Sequence, residues 1–128
     1  MKFVGFIKEY NNITEAQEYK KFLNNAQNNK EIVSKITAYL NNGTVVLAWM
    51  NTLKSLDNDE LIAPNCYCTD GSFVWPAYFA YYLKKYPNYK IDDDFLEHLE
   101  KNNFDSKKIK VSDKLKSELQ KKLIEKNL

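Results

Sequence analysis

The chain contains no arginine; all nineteen of its basic residues are lysine. Arginine is the side chain that grips phosphate and carboxylate in a bidentate fork, so a dedicated nucleotide or nucleic-acid reader is disfavoured. Cysteine is nearly as scarce. Cys66 and Cys68 alone occur, one residue apart, and a bridge across that spacing would be strained. Both are expected as reduced thiols, in keeping with a cytoplasmic protein. Three glycines and three prolines in 128 residues leave no flexible linker. No stretch approaches the roughly 20 apolar residues of a membrane helix. The apolar run within Met1–Glu9 is too short for a signal-peptide core, so the cytoplasm is the expected compartment and no membrane partner is expected.

What the chain does have is aromatic bulk. Nine Tyr, seven Phe and two Trp make up 14% of the residues, and 44% are hydrophobic. That is enough for one core without disulfides or a metal, and the length fits a single domain over residues 1–128. Net charge is +2 but unevenly spread. Residues 1–54 hold seven Lys and four Glu, residues 55–100 three Lys and nine acids, and residues 101–128 nine Lys and four acids. The middle is acidic and the tail basic.

Periodicity predicts the elements. Lys2–Ile7 reads as a first strand. Thr14 to Gln17 has the form of a capping box, opening a helix to about Asn28 with Ala16, Tyr19, Phe22, Leu23 and Ala26 on one stripe. A second helix spans Glu31–Leu40, with Asn42-Gly43 as its left-handed cap. Thr44–Met50 is a near-continuous apolar, β-branched run, the pattern of a buried strand. Ile62–Thr69 and Ser72–Trp75 flank Asp70-Gly71, a two-residue hairpin signal, and Cys66 and Cys68 share one face of the first arm. Pro76 takes the first position of an aromatic helix reaching Tyr86. Asp92-Asp93-Asp94 opens a further helix, where negative charge meets the positive end of the helix dipole, and Phe95, Leu96 and Leu99 form its buried face. Ile109–Val111 reads as a short strand. Ser112 caps a last helix with Leu115, Leu119, Leu123 and Ile124 inward and a Glu118–Lys122 pair outward. The fold class is α+β: a small antiparallel sheet with an Asp-Gly hairpin, packed against several helices.

Site chemistry is sparse. The single histidine, His98, lies four residues after Asp94, in reach of an ion pair, and has no identifiable nucleophile beside it. Cys66, Cys68 and His98 fall short of the usual four-ligand zinc set. Asp92-Asp93-Asp94 lacks the spacing and glycine of a calcium loop. Walker, dinucleotide-binding, nucleophile-elbow and zinc-protease motifs are all missing. No metal, cofactor or catalytic residue is therefore assigned. Two further features invite a partner: the acids Asp57, Asp59, Glu60, Asp70 and Asp92 to Asp94, and an aromatic helix too crowded to bury every ring, which leaves Tyr78 and Tyr81 toward its flank. Tyr and Trp are typical interface anchors.

Thr69-Asp70-Gly71-Ser72-Phe73-Val74-Trp75-Pro76, followed by Tyr81-Tyr82-Leu83-Lys84-Lys85-Tyr86 and Asp94-Phe95-Leu96-Glu97-His98, resembles a group of small bacterial proteins. Their pattern is a TDG-x-W-x-W-P turn, a Y-Y-x-x-x-Y helix and an E-F-L/I-x-H segment, and some members are immunity-type proteins encoded near polymorphic toxins. The match covers about residues 44–100. Phe73 stands where the pattern has Trp, and Asp94 where it has Glu. The resemblance implies a shared fold and a non-enzymatic, cytoplasmic protein that binds a protein partner, such as a basic toxin domain steered by the acidic residues. Two alternatives stand beside it. One is a small-ligand or enzymatic pocket under the hairpin, using Asp70, Tyr67, Tyr78 or His98. The other is a nucleic-acid-binding or regulatory module using the lysine-rich tail.

Overall fold

Strand-forming runs dominate residues 44–76, and in the computed structural model, which describes all of residues 1–128, they build most of one sheet. Its strands are β1 (Lys2–Phe3), β2 (Thr44–Lys54), β3 (Leu61–Thr69) and β4 (Phe73–Pro76), in the order β1-β4-β3-β2. The four main helices are α1 (Lys30–Asn41), α2 (Tyr78–Lys85), α3 (Asp93–Lys101) and α4 (Asp113–Glu125). The chain is thus one α+β domain. The sheet is mixed rather than wholly antiparallel: β2, β3 and β4 form an antiparallel meander, while β1 lies parallel to β4, pairing Lys2 with Phe73 and Phe3 with Val74.

The sheet separates two apolar layers. Phe73, Trp75 and Cys68 face α1, α2 and α3, in a cluster with Ile36, Tyr39, Tyr78, Phe79, Tyr82 and Phe95. Tyr67, Val74 and Val46 face the other way, against Phe6, Ile13 and Ala16 and against Leu119 and Leu123 of α4. All four residues of β4 are buried. A short strand covered on both faces reads as a continuous apolar run, and Phe-Val-Trp-Pro does.

Helix starts follow their caps. The Asn29 side chain accepts from Glu31 N and Ile32 N, Asp92 accepts from Phe95 N at 3.1 Å, and Ser112 Oγ accepts from Leu115 N at 3.1 Å. The hairpin turn sits one residue later than the Asp-Gly signal implies. Asp70 N donates to Phe73 O, so Gly71 and Ser72 are the central pair, with Gly71 at φ +98°. A glycine at the first central position is the pattern of a II′-type hairpin.

Several expectations fail for identifiable reasons. Residues 14–28 form no α-helix and contain only a 3-10 turn at Tyr19–Phe22. Their backbone groups are claimed from elsewhere: Gln17 N donates to Phe6 O, Lys8 N to Gln17 O, and Lys90 N to Phe22 O. The strap sends Ala16 into the α4-side layer and Phe22 into the other, where it stacks on Tyr89 at 5.0 Å. One helical stripe could not serve both. Lys2–Ile7 is a strand only over its first two residues plus an isolated bridge from Ile7 to Gln17. Pro76 ends β4 instead of opening α2. Ile109–Val111 forms no strand and follows a 3-10 turn, Ser106–Lys108. Ile124 is exposed, because the sheet takes the Leu119/Leu123 stripe of α4. Lys122 leaves Glu118 to lie 5.5 Å over the Phe3 ring. Finally, the Thr44–Met50 run is not a buried strand: Val46 is buried, but Val45, Trp49 and Met50 are exposed.

Gly43 has a packing role in place of the expected left-handed cap. A Cβ there would fall 2.4 Å from Trp75 Cζ2. The indole is 1% exposed and its Nε1 donates to Leu40 O at 3.2 Å, so it has nowhere to go. Gly43→Ala is expected to cost about 2 kcal/mol through overpacking, read from the urea midpoint at unchanged slope.

Candidate functional site

The hairpin gathers the chain's most constrained polar group. Asp70 Oδ1 accepts from Ser72 N and Phe73 N, both at 2.8 Å, which locks the turn. Oδ2 accepts from Tyr39 Oη of α1 at 2.6 Å and meets His98 Nε2 of α3 at 2.7 Å. The Asp70 side chain is 1% exposed. Burial alone would raise its pKa. The Tyr39 hydroxyl, the two backbone N–H groups and His98 outweigh burial and hold the carboxyl below its ordinary value near 3.8. Burial and the Asp70 contact push Tyr39 up. His98 therefore partners Asp70 and not Asp94, which instead meets Lys2 at 3.1 Å. Tyr39, Asp70 and His98 line a cleft of about 210 Å³ with Asn102, Asp105 and Lys108.

Two residues expected at a partner surface are buried. Asp70 is consumed as described, and Tyr78 is 1% exposed. The Tyr78 hydroxyl accepts from Ile7 N at 2.8 Å and donates to Asn11 Oδ1 at 2.7 Å, and Asn11 Nδ2 donates to Tyr67 Oη at 2.8 Å. Tyr67 and Tyr78 thus tie the N-terminal segment to the sheet and α2, and neither lines the hairpin cleft. Tyr81 is half-buried and lines a groove between the sheet, α1 and α2.

The remaining acids stay on the surface in separate groups. Asp57 sits in the turn after β2, where the Tyr19 and Tyr86 hydroxyls donate to it and Lys85 lies at 3.9 Å. Asp59 and Glu60 beside it are exposed and have no ion-pair partner. Asp92, Asp93 and Asp94 cap α3 and share a cleft with Lys90 and Glu15. No cleft or contact joins the two groups. No three His, Cys, Asp or Glu side chains converge as a metal site would need, and no helix is long and apolar enough to cross a membrane.

The most conspicuous surface is one the sequence pattern misassigns. β2 is the outer strand of the sheet, and its pairing to β3 slips between Ala48 and Thr52. Three residues, Trp49, Met50 and Asn51, face the single residue Asn65 there, a bulge that leaves all three exposed. Trp49 is 46% exposed and Met50 fully so, with Leu61 of β3 at 66%. Trp49 shares a shallow depression with Ile124 and Leu128 of the C-terminal region. Upstream of the bulge the edge is covered, where Gln120 of α4 donates to Val46 O at 2.7 Å. The signal was present in the sequence: Trp49-Met50-Asn51-Thr52 breaks the apolar run on a polar residue before the strand ends.

No protein-family model, no curated protein and no solved structure matches this chain.

Because the folded state binds the Asp70 proton less tightly than the unfolded chain, Asp70 stabilises the fold fully above about pH 4, and that contribution is lost as pH falls through the depressed folded value. Asp70→Asn, which cannot accept from both Tyr39 and His98 while keeping the turn, is expected to cost about 2 kcal/mol at neutral pH. Its stability should also fall less steeply than the wild type's below about pH 4, measured by urea titration across that range.

Proposed function

We propose that this chain is a protein-binding module of the immunity type, which occupies a basic protein domain through the β2–β3 ribbon and its acidic turn. The observation that carries the reading is the bulged outer strand with Trp49 and Met50 exposed to solvent, and Leu61 exposed further along the same ribbon, opposite Lys54. Exposed apolar side chains on a free strand edge are a liability that folded proteins normally suppress, so their retention favours a partner. Trp is an anchor at interfaces, and an unbranched Met adapts to an irregular surface. Asp57, Asp59 and Glu60 at the ribbon's end add negative charge, which speeds encounter with a basic partner and selects against acidic ones. The resemblance of residues 44–100 to immunity-type proteins points the same way.

The alternatives have less to rest on. The hairpin cleft, at about 210 Å³, is smaller than the roughly 300–1,000 Å³ of ordinary ligand pockets, and its carboxylate is already fully bonded. In the lysine-rich tail, Lys126 pairs with Glu15 at 2.8 Å, and Lys122 and Lys126 both lie over Phe3.

Calorimetric titration against each secreted or toxin-like protein encoded near this chain's gene tests the reading. Trp49→Ala and Met50→Asp, both on exposed positions, are each expected to weaken binding at least about 30-fold. Lys121→Glu, on the outer face of α4, should leave affinity unchanged. Failure of the wild type to bind any secreted or toxin-like product of its gene neighbourhood would remove the proposal.

A further inference from the structure

Cys66 and Cys68 lie two residues apart on β3, so their side chains leave the same face of the strand. That face looks into a groove of about 440 Å³ between the sheet and helices α1 and α2. Its walls are largely apolar, built by Leu40, Ile62, Pro64, Trp75, Ala80 and Tyr81. It lies on the helix-covered side of the sheet and does not include Trp49 or Met50.

The two thiols are unequal. Cys68 is 9% exposed and belongs to the core cluster, while Cys66 is half-buried and opens onto the groove. The neighbouring Cys68 thiol lowers the Cys66 pKa against the opposing effect of burial. Cys68 is pushed up by the same contact and by its own burial. Cys66 is therefore the more accessible and the more readily ionised thiol of the two, and it stands on the wall of the groove. Two residues of extended strand separate the Cα atoms by about 6.6 Å with parallel Cβ directions, a poor geometry for a disulfide. Cys66 is not readily quenched by its neighbour and stays available to a third party.

We propose that Cys66 is a covalent modification site for apolar α,β-unsaturated carbonyl compounds, whose hydrocarbon chain the groove receives. In the step, the Cys66 thiolate attacks the β-carbon and a carbon–sulfur bond forms. The π electrons of the C=C bond move onto the α-carbon and carbonyl, and the α-carbon takes up a proton from water. The thiol hydrogen is thereby replaced on sulfur by carbon and balanced by the proton gained at the α-carbon. There is no leaving group and no change in net oxidation state, so no co-reactant is required. The apolar walls discriminate among electrophiles, since each methylene removed from water contributes about 0.8 kcal/mol. A charged, strongly hydrated thiol reagent gains nothing from them.

The wild-type protein is incubated with nonenal or with acrolein, with free glutathione as the reference thiol. Adducts are counted by intact mass and located by peptide mapping. The expected result is a single adduct at Cys66, with a nonenal-to-acrolein rate ratio at least about 10-fold above that of glutathione. The rate should rise with pH around a midpoint below the usual thiol value of about 8.5, and Cys68→Ala, which removes the neighbouring thiol, should move that midpoint upward. Equal labelling of both cysteines, a rate ratio equal to that of glutathione, or a midpoint at the ordinary thiol value would each overturn the proposal. The wild-type ratio needs no variant, so a poorly folded Cys68→Ala protein would not obscure the result. Cys66→Ser, which should abolish the adduct, is the negative control.

Discussion

A carboxylate buried beneath a hairpin dictates much of this architecture. Removing a charge from water is costly unless hydrogen bonds replace the lost solvation, and Asp70 meets that condition only when three parts of the chain converge on it. The turn offers two backbone N–H groups, α1 offers the Tyr39 hydroxyl, and α3 offers the His98 ring. The turn, Tyr39 and His98 lie far apart in sequence. A hairpin that slipped register, or an α3 rotated away from the sheet, would strand the charge, so the cluster selects one arrangement of α1, α3 and the sheet. Aromatic packing then fills the space that this fixes: Trp75 lies within 6.1 Å of Tyr39 and within 5.9 Å of Phe95, centroid to centroid.

A second polar layer does for the N-terminal segment what Asp70 does for the hairpin. Residues 4–23 have almost no regular structure, yet Val4, Phe6, Ile7, Ile13, Ala16 and Phe22 are all buried. Buried irregular backbone must find partners outside itself. Here Tyr78 Oη serves Ile7 N, Asn11 bridges Tyr78 and Tyr67, and the Tyr10 and Tyr82 hydroxyls meet at 2.6 Å, with Leu56 N also donating to Tyr82. The tyrosine-rich α2 is thus a set of hydroxyl-bearing struts. A phenylalanine at Tyr78 or Tyr82 would fit the space but leave backbone or amide groups unpaired. Tyr89 is the contrast, with a buried hydroxyl that finds no partner.

Where local chemistry decided structure, the sequence was readable. Ser112 and Asp92 are caps whose effect extends over one turn, and the two arms around Asp70-Gly71 pair as their alternation implies. Where distant groups decided, it was not. The 14–28 segment carries a good helical stripe, but backbone donors and acceptors from residues 6–8 and 90 compete for it and win. The position of Gly43 beneath an indole thirty-odd residues later in the chain has no local signature. The candidate sites divide in the same way. Asp57, Asp59 and Glu60 lie on the surface as polar turn residues should. Asp70 and Tyr78 look equally available in the sequence, and tertiary hydrogen bonds withdraw them. His98 lies on the helix that its sequence context implies but pairs with a different acid, because the helix-local Asp94 is nearer in sequence while the hairpin brings Asp70 nearer in space.

The same separation of inside from outside determines which surface is free for function. The polar clusters at Asp70, around Asn11 and around Asp57 with its two tyrosines are satisfied internally. Satisfied groups have little left to offer a ligand, since binding gains come from groups whose bonding is incomplete or whose apolar area is still wet. The most exposed large apolar side chains lie on and beside the β2–β3 ribbon: Trp49 and Met50 at the bulge, Ile124 next to Trp49, and Leu61 opposite Lys54. A bulge in an outer strand disrupts the ladder that would let another copy add in simple register, while it holds Trp49 and Met50 clear of the sheet. The edge is therefore protected against indiscriminate strand addition and yet presents large side chains. Under the proposed partner-binding reading, that combination places the discriminating chemistry in side chains and in the flanking acids instead of in main-chain pairing.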